Sequence, residues 1–224
     1  MKKHNLVLAV LMACAFLIMS VGCAQHSVKQ AGFLQDYTKL GEDPFGLADA
    51  YYEAPNVVWG AYDKAIIDQV TFFLKEDADH KGIDADELNQ LAQYWNDSMV
   101  KSISKSYQIV SEPGPNTLRM RLAITNLEPG NPATGTVTTV VPVGLAASTL
   151  KKATTGTHIG MGEASFEAEI RDAQTDDVLV AGIRKSSGTK YKVAKSVTKW
   201  GQVEAIFDEW TDSLLKRLDK LSGR

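Results

Sequence analysis

Two cysteines, four histidines and a scatter of carboxylates and serines are the raw material for chemistry in this chain. Cys23, behind Ser20-Val21-Gly22, offers a thiol for lipid attachment, and Cys14, behind Leu11-Met12-Ala13, is its rival. Ser165 would need a positioned base to act as a nucleophile. It stands in Gly162-Glu163-Ala164-Ser165-Phe166, which lacks the second glycine of a nucleophile elbow, and in the middle of an alternating strand. His26, His80 and His158 are far apart, and only His80 has acids beside it. Asp77, Asp79, His80, Asp84, Asp86 and Glu87 could hold a divalent cation weakly, but their order departs from a calcium loop with glycine sixth and glutamate twelfth. A solvated turn running into a helix cap is the plainer reading. The glycines of Gly156-Thr157-His158-Ile159-Gly160-Met161-Gly162 have no phosphate-binding lysine and precede a strand, so they are read as the chain's entry into a sheet. The expectation is no catalytic residue, no metal, no cofactor and no enzyme activity.

The elements that position Cys23 lie at the N-terminus. Lys2 and Lys3, an apolar run of 14 residues from Leu6 to Met19, and small residues before a cut are the parts of a secretory signal. The run is shorter than the roughly 20 apolar residues that span a bilayer. Its Gly22-Cys23 end resembles bacterial lipoprotein signals, although Ser20 stands where those signals carry Leu or Val. Cys14 has the better flanking pattern but leaves an apolar core of only eight residues, and an ordinary cleaved signal is the remaining alternative. The expected division is a signal peptide over 1–22, a lipidated tether over 23–31 and one domain over 32–224. By the same resemblance Cys23 carries three acyl chains. Each buried methylene contributes about 0.8 kcal/mol, so anchoring to the membrane is effectively permanent. Ala24 lacks the Asp that would retain the protein at the inner membrane, which implies the periplasmic face of a Gram-negative outer membrane. The tether, fully extended, reaches at most about 28 Å.

Removal of the leader, which holds Lys2 and Lys3 and no acid, takes the formal net charge from −3 to −5 and leaves 202 of the 224 residues. That balance argues against nucleic acid, which needs a basic stripe. The size is enough to bury a core as one domain. With Cys23 the only cysteine left, no disulfide or cysteine-based metal site can form.

Gly32 to Leu40 supplies aromatic and apolar anchors, and a turn-rich stretch follows through Pro44 and Gly46. Asn56 to about Leu74, rich in Val, Ile, Trp, Tyr and Phe, reads as a long strand. Asp84 should cap a helix whose apolar stripe is Leu88, Leu91, Ala92, Trp95, Met99 and Ile103, ending near Ser106. A short strand over Tyr107–Val110 comes next. Leu118, Met120, Leu122 and Ile124 alternate with Thr117, Arg119, Arg121 and Thr125; Ala164, Phe166, Ala168 and Ile170 alternate with Glu163, Ser165, Glu167 and Glu169. One outer face is basic and the other acidic, so the two strands are expected to be antiparallel neighbours. A hairpin turn over Asp172–Asp177 leads to a third strand, with Asp172 bonding the backbone and Asp176 left-handed. A helix from about Trp200 or Gly201 to Leu221 closes the chain, with acids in its first half and bases in its last. Trp59, Trp95, Trp200 and Trp210 fall on apolar stripes or element ends and are expected in the core. The fold class is α+β: a mostly antiparallel sheet of about five strands, two helices on one face and a polar outer face.

Pro129 to Leu150 contains 22 residues without a charge, the centre of an excursion over 129–156. It either folds back against the core or offers Val140, Val141, Val143, Leu145 and Leu150 to a partner. Pro142, Gly144 and the threonines exclude a spanning helix.

Four ordered segments carry a resemblance that spans nearly the whole mature chain. They are Gly32-Phe33-Leu34-x-Asp36-Tyr37-x-x-Leu40, then Val140-Val141-Pro142-Val143-Gly144. The third is Gly162-Glu163-Ala164 leading to Arg171-Asp172-Ala173-Gln174-Thr175, and the last is Lys199-Trp200-Gly201-x-Val203-Glu204-x-x-Phe207-x-x-Trp210. Together they resemble an uncharacterised family of proteobacterial lipoproteins, domain of unknown function 3313. Asp176 stands where relatives tend to have glycine. The resemblance implies a lipoprotein and brings no activity. Two readings stay open: a non-catalytic lipoprotein that works by contact with another envelope protein, and a binding module for a small apolar or lipid-like ligand held between sheet and helices.

Overall fold

The computed structural model describes residues 30–73, 83–128, 163–187 and 198–224. Its centre is three antiparallel strands whose alternation was visible in the sequence: β5 (Thr117–Glu128), β6 (Glu163–Asp172) and β7 (Val178–Ser187). They are flanked by β1 (Ala50–Glu53), antiparallel to β7, and by β2 (Lys64–Ile67), β3 (Thr71–Phe72) and β4 (Gln108–Ile109) on the far side. The order is β1-β7-β6-β5-β2-β4, with β3 also on β5, seven strands among the described residues.

The expectation of a mostly antiparallel, roughly five-stranded sheet is corrected on both counts. β2 runs parallel to both β4 and β5, and β3 runs parallel to β5. Between β3 and β4 the chain passes through the helix α1 (Ala85–Ile103), the kind of crossover that returns a chain in the same direction. The single long strand over 56–74 is broken. Asn56 adopts a φ of 63°, Trp59–Ala61 forms a 3-10 turn with Trp59 buried, and Asp68–Val70 separates β2 from β3. At that break Asp68 grips Arg119, whose Nε donates at 2.9 and 3.1 Å. Strand-forming residues fit a half-buried surface in general, and here several reach burial without a ladder. The other additional strand, β1, lies between the turn-rich stretch through Gly46 and Asn56, where the sequence pattern assigns no element.

Both helices cover one face, as expected. Asp84 caps α1 by accepting from Asp86 N at 2.8 Å. Glu87 does not complete a capping box. It turns to Lys199 at 2.6 Å, and that bond pulls its carboxyl below the ordinary range. The second helix, α2 (Gly201–Ser222), ends at Gly223, which takes a φ of 74° at the C-cap. Trp95 of α1 stacks on Phe207 of α2 with ring centroids 4.6 Å apart, meets Phe166 of β6 edge-on, and donates its Nε1 to Thr211 at 3.2 Å. Leu118, Met120, Leu122 and Ile124 pack beneath. Trp59, Trp95 and Trp210 are buried and Trp200 is half-buried against the same core. The hairpin turn is as expected: Asp172 Oδ1 accepts from Gln174 N and Thr175 N, and Asp176 has a φ of 63°.

The other face of the sheet is not the solvated polar surface that alternation implies. Glu167, Glu169 and Arg171 are 0%, 1% and 3% exposed, covered by residues 31–40. Glu167 Oε1 accepts from Ala31 N at 2.5 Å, and its Oε2 accepts from Phe33 N, Leu34 N and the Tyr37 hydroxyl. Glu169 accepts from Gln35 N at 2.9 Å. It also pairs at 2.8 Å with both Arg121 across the strand and Arg171 on its own strand. The cross-strand charge complementarity thus holds at Arg121 and Glu169, which are in register. Arg119 faces Arg171 instead, and each turns to a different acid.

Candidate functional site

Side chains on β6 and β7 alternate between the two faces, and the helix-facing set is small where α2 crosses it. Ala168 pairs with Gly182, and Ile170 pairs with Val180. On β7 Ala181 and Ile183, on the face covered by residues 31–40, are buried, whereas the helix-facing Val180, Gly182 and Arg184 are only half-buried. The missing side-chain volume at Ala168 and Gly182 leaves an apolar slot of about 110 Å³ between the sheet and α2. Met99, Met120, Leu122, Phe166, Trp210 and Leu218 wall its deeper side. Half-buried Leu47, Ala48, Leu214 and Leu221 frame the side nearer solvent. Slots of this kind take apolar groups: an engineered cavity of roughly 150 Å³ stays dry and takes up benzene.

The rim is charged and ordered. Asp43 winds the loop over 43–48 around its carboxylate, accepting from Phe45 N, Leu47 N and Ala48 N at 3.0, 2.6 and 2.9 Å. Arg217 of α2 lies across the edge. It sits 3.6 Å from Asp43 and 3.0 Å from Glu53, with its guanidinium 4.0 Å from the Phe45 ring centroid and 4.3 Å from that of Tyr51. Tyr51 donates to Glu53 at 2.6 Å; burial, aided by that carboxylate, pushes the phenol well above its ordinary range. On the opposite edge Arg184 approaches Glu209 at 3.9 Å. A second concavity, a polar groove beside Tyr62, Asp172 and Asp177, holds no comparable apolar wall.

Of the residues singled out from the sequence, Cys23 lies outside the described residues. So do Val140, Val141, Val143, Leu145 and Leu150, the glycine-rich run over 156–162, and His26, His80 and His158. Asp77 and Asp79 also lie outside, while Asp84 is a helix cap and Glu87 an ion-pair partner. Among the described residues no group of three or more His, Cys, Asp or Glu side chains could hold a metal ion. Ser165 sits within β6 with its hydroxyl 3.0 Å from that of Thr125. A ligand held between sheet and helices was one of the readings open from the sequence, but the residues of the slot and of its Asp43–Arg217–Glu53 rim were not singled out. The available signal was Gly182 inside a strand, where a missing side chain marks a close approach or a space.

The family described as "Protein of unknown function (DUF3313)" matches residues 29–214. The chain is similar to the "Uncharacterized lipoprotein YdcL" of Escherichia coli K12 and of E. coli O157:H7. Each is 24% identical over 213 residues, covering 92% of this chain and 94% of the relative. Among solved structures it is similar to the PelC dodecamer of Paraburkholderia phytofirmans, at 8% identity and a TM-score of 0.38, covering 75% of this chain and 94% of that one. It is also similar to the hypothetical protein CT253 of Chlamydia trachomatis, at 10% identity and a TM-score of 0.39, covering 70% and 98%. No helix among the described residues is long and apolar enough to cross a membrane. The chain belongs to the DUF3313 family, and its curated relatives are lipoproteins of unknown role.

Proposed function

We propose that this is a non-catalytic, lipid-anchored envelope protein whose domain binds a small apolar or lipid-like ligand in the slot between the sheet and α2. The observation that carries this reading is the slot itself, apolar on nearly all sides and bounded by the Asp43–Arg217–Glu53 rim. Of the two readings open from the sequence it is the one with a feature among the described residues behind it. Ligand sites combine a mostly apolar wall with a few placed polar groups, and this one has that composition. The anchor is Cys23 and the location the periplasmic face of the outer membrane, supported by the leader, by Ala24 and by relatives that are lipoproteins. Attached there, the slot works within a few nanometres of a pool of acyl chains.

The test is recovery of ligand. Protein purified from membranes and denatured in organic solvent should release an alkyl-bearing compound detectable by mass spectrometry. Ala168→Leu, which fills the slot, should release less than a tenth as much. Equal release from both proteins, or none from either, would contradict the reading.

A further inference from the structure

The chain from Cys23 reaches the domain at Ala31, and Glu167 pins that entry point by accepting from Ala31 N at 2.5 Å. Fully extended, the residues between Cys23 and Ala31 span at most about 28 Å. Helix α2, with 22 residues, is itself roughly 33 Å long. A tether shorter than the domain it holds keeps the surface around Ala31 nearest the lipid.

That surface carries aromatic rings. Thr71, Ala123 and Glu167 are in register across β3, β5 and β6, so the face covered by residues 31–40 continues onto β3. Phe73, two positions beyond Thr71, is 43% exposed. Its ring comes 3.5 Å from where a side chain on Gly32 would begin, and it meets the Phe33 ring edge-on with centroids 6.1 Å apart. The Arg121 guanidinium lies 5.1 Å from the centroid of Phe33, and Arg119 is two positions away on the same face of β5. Both arginine side chains remain partly open to solvent. The other exposed large apolar side chains among the described residues are placed differently. Phe45 lies beneath Arg217 and Lys220, Val100 is on α1 across the sheet, and Val58 precedes the 3-10 turn.

Resting on the Cys23 anchor but not on the slot, we propose that the Phe33–Phe73 patch is the membrane-contact surface of the domain. Both rings enter the headgroup–acyl boundary of the bilayer that holds the Cys23 lipid, with Arg119 and Arg121 at headgroup depth. Aromatic rings flanked by basic side chains suit that boundary, where one end of a residue is apolar and the other wet. Charge is not the driving force. The chain without its leader carries −5, and the two arginines are already paired with Asp68 and Glu169. Removal of aromatic surface from water is what favours the contact. Two rings are a small area, but a short tether makes the contact intramolecular, at an effective concentration on the order of millimolar.

The experiment uses the full-length lipidated protein in vesicles of phosphatidylethanolamine and phosphatidylcholine. Lipidation consumes the Cys23 thiol, so Thr71→Cys and Val100→Cys each accept one fluorophore, on opposite faces of the sheet. Phosphatidylcholine spin-labelled near its headgroup should quench the label at 71 at least threefold more than the label at 100. Phe73→Glu, added to Thr71→Cys, should cut that quenching at least threefold while circular dichroism and vesicle flotation stay unchanged. Equal quenching at the two positions, or quenching at 71 that is indifferent to Phe73→Glu, overturns the inference while the anchor stands. A label at 71 shielded from both the lipid quencher and aqueous iodide overturns it in favour of a second copy of this chain. Protein that fails to float with the vesicles refutes the Cys23 anchor, and the inference falls with it.

Discussion

Glu167, on the middle strand of the sheet, holds the hydroxyl of Tyr37, and the same carboxylate takes the backbone N–H groups of Ala31, Phe33 and Leu34. A fully buried charge is thereby surrounded by donors from one short segment of chain. That segment begins where the expected tether ends, so a lipid at Cys23 would be joined to the centre of the sheet through this one side chain.

Glu167→Gln keeps the shape and removes the charge, placing an amide nitrogen among donors. Hydrogen bonds to charged groups contribute about 1.5–3 kcal/mol each, and the loss here should be roughly 3 kcal/mol after relaxation of the segment. Urea unfolding gives the stability change. Hydrogen exchange should show the amides of Ala31, Phe33 and Leu34 losing protection before those of β6. Unchanged protection at those amides would show that the carboxylate is not what holds the segment.

Tyr37 also gives the fold an alkaline limit. Burial first, then its bond to Glu167, pushes its phenol from the ordinary 10 up to about 12. The raised value means the folded state holds the proton more tightly, so this contribution is complete below pH 10 and is lost as pH rises through 12. Tyr51 and Tyr62 are shifted the same way, so the test is a difference. Tyr37→Phe should be less stable than wild type at neutral pH, with the gap narrowing between pH 10 and 12. A gap independent of pH across that range would contradict the assignment.

Arg171 is 3% exposed and bonds Glu169, Asp176 and Gln35. Arg171→Leu leaves Glu169 with Arg121 as its cationic partner across the strand. Removing one partner of a buried pair is expected to destabilise by about 3–5 kcal/mol. Adding Glu169→Gln should recover part of that loss, and a double-mutant cycle in denaturant measures the coupling. Additivity of the two changes would mean that the pair is not energetically linked.

Gly182 tests whether the slot is open space. A Cβ there would lie 3.5 Å from Ala50 O and 3.9 Å from Ala48 Cβ and Tyr51 Cδ2, ordinary contact distances. Gly182→Ala should therefore raise stability by about 0.5 kcal/mol, because it restricts the unfolded chain without strain in the folded one. A loss of 1 kcal/mol or more in thermal unfolding would mean that the space is already filled.

What the sequence showed and what it concealed divide along physical lines. The hairpin of β6 and β7, the pairing of β5 with β6, the Asp84 cap and the stripe of α2 are local or period-based signals, and each was readable. The direction of β2 was not read from its own residues, because parallel pairing is set by the helix that intervenes before β4. The broken strand over 56–74 misled because its aromatic and branched residues are equally suited to irregular burial around Trp59. Alternation of Glu167 and Glu169 with apolar residues correctly set two faces. It could not reveal that the polar face is closed by Phe33, Leu34 and Tyr37, more than 125 positions earlier in the chain. The slot was hidden for a related reason: it is an absence of volume at Ala168 and Gly182, and neither residue is informative until α2 is laid over both.

The most direct measurement is photolabelling in intact cells with a membrane lipid whose acyl chain ends in an alkyl diazirine. Labelled peptides of the wild-type protein should include those bearing Met99, Met120 and Leu214, and Ala168→Leu should abolish labelling at these sites while the protein remains folded and membrane-bound. Labelling confined to other surfaces, or undiminished when the slot is filled, would contradict a lipid-binding role for this domain.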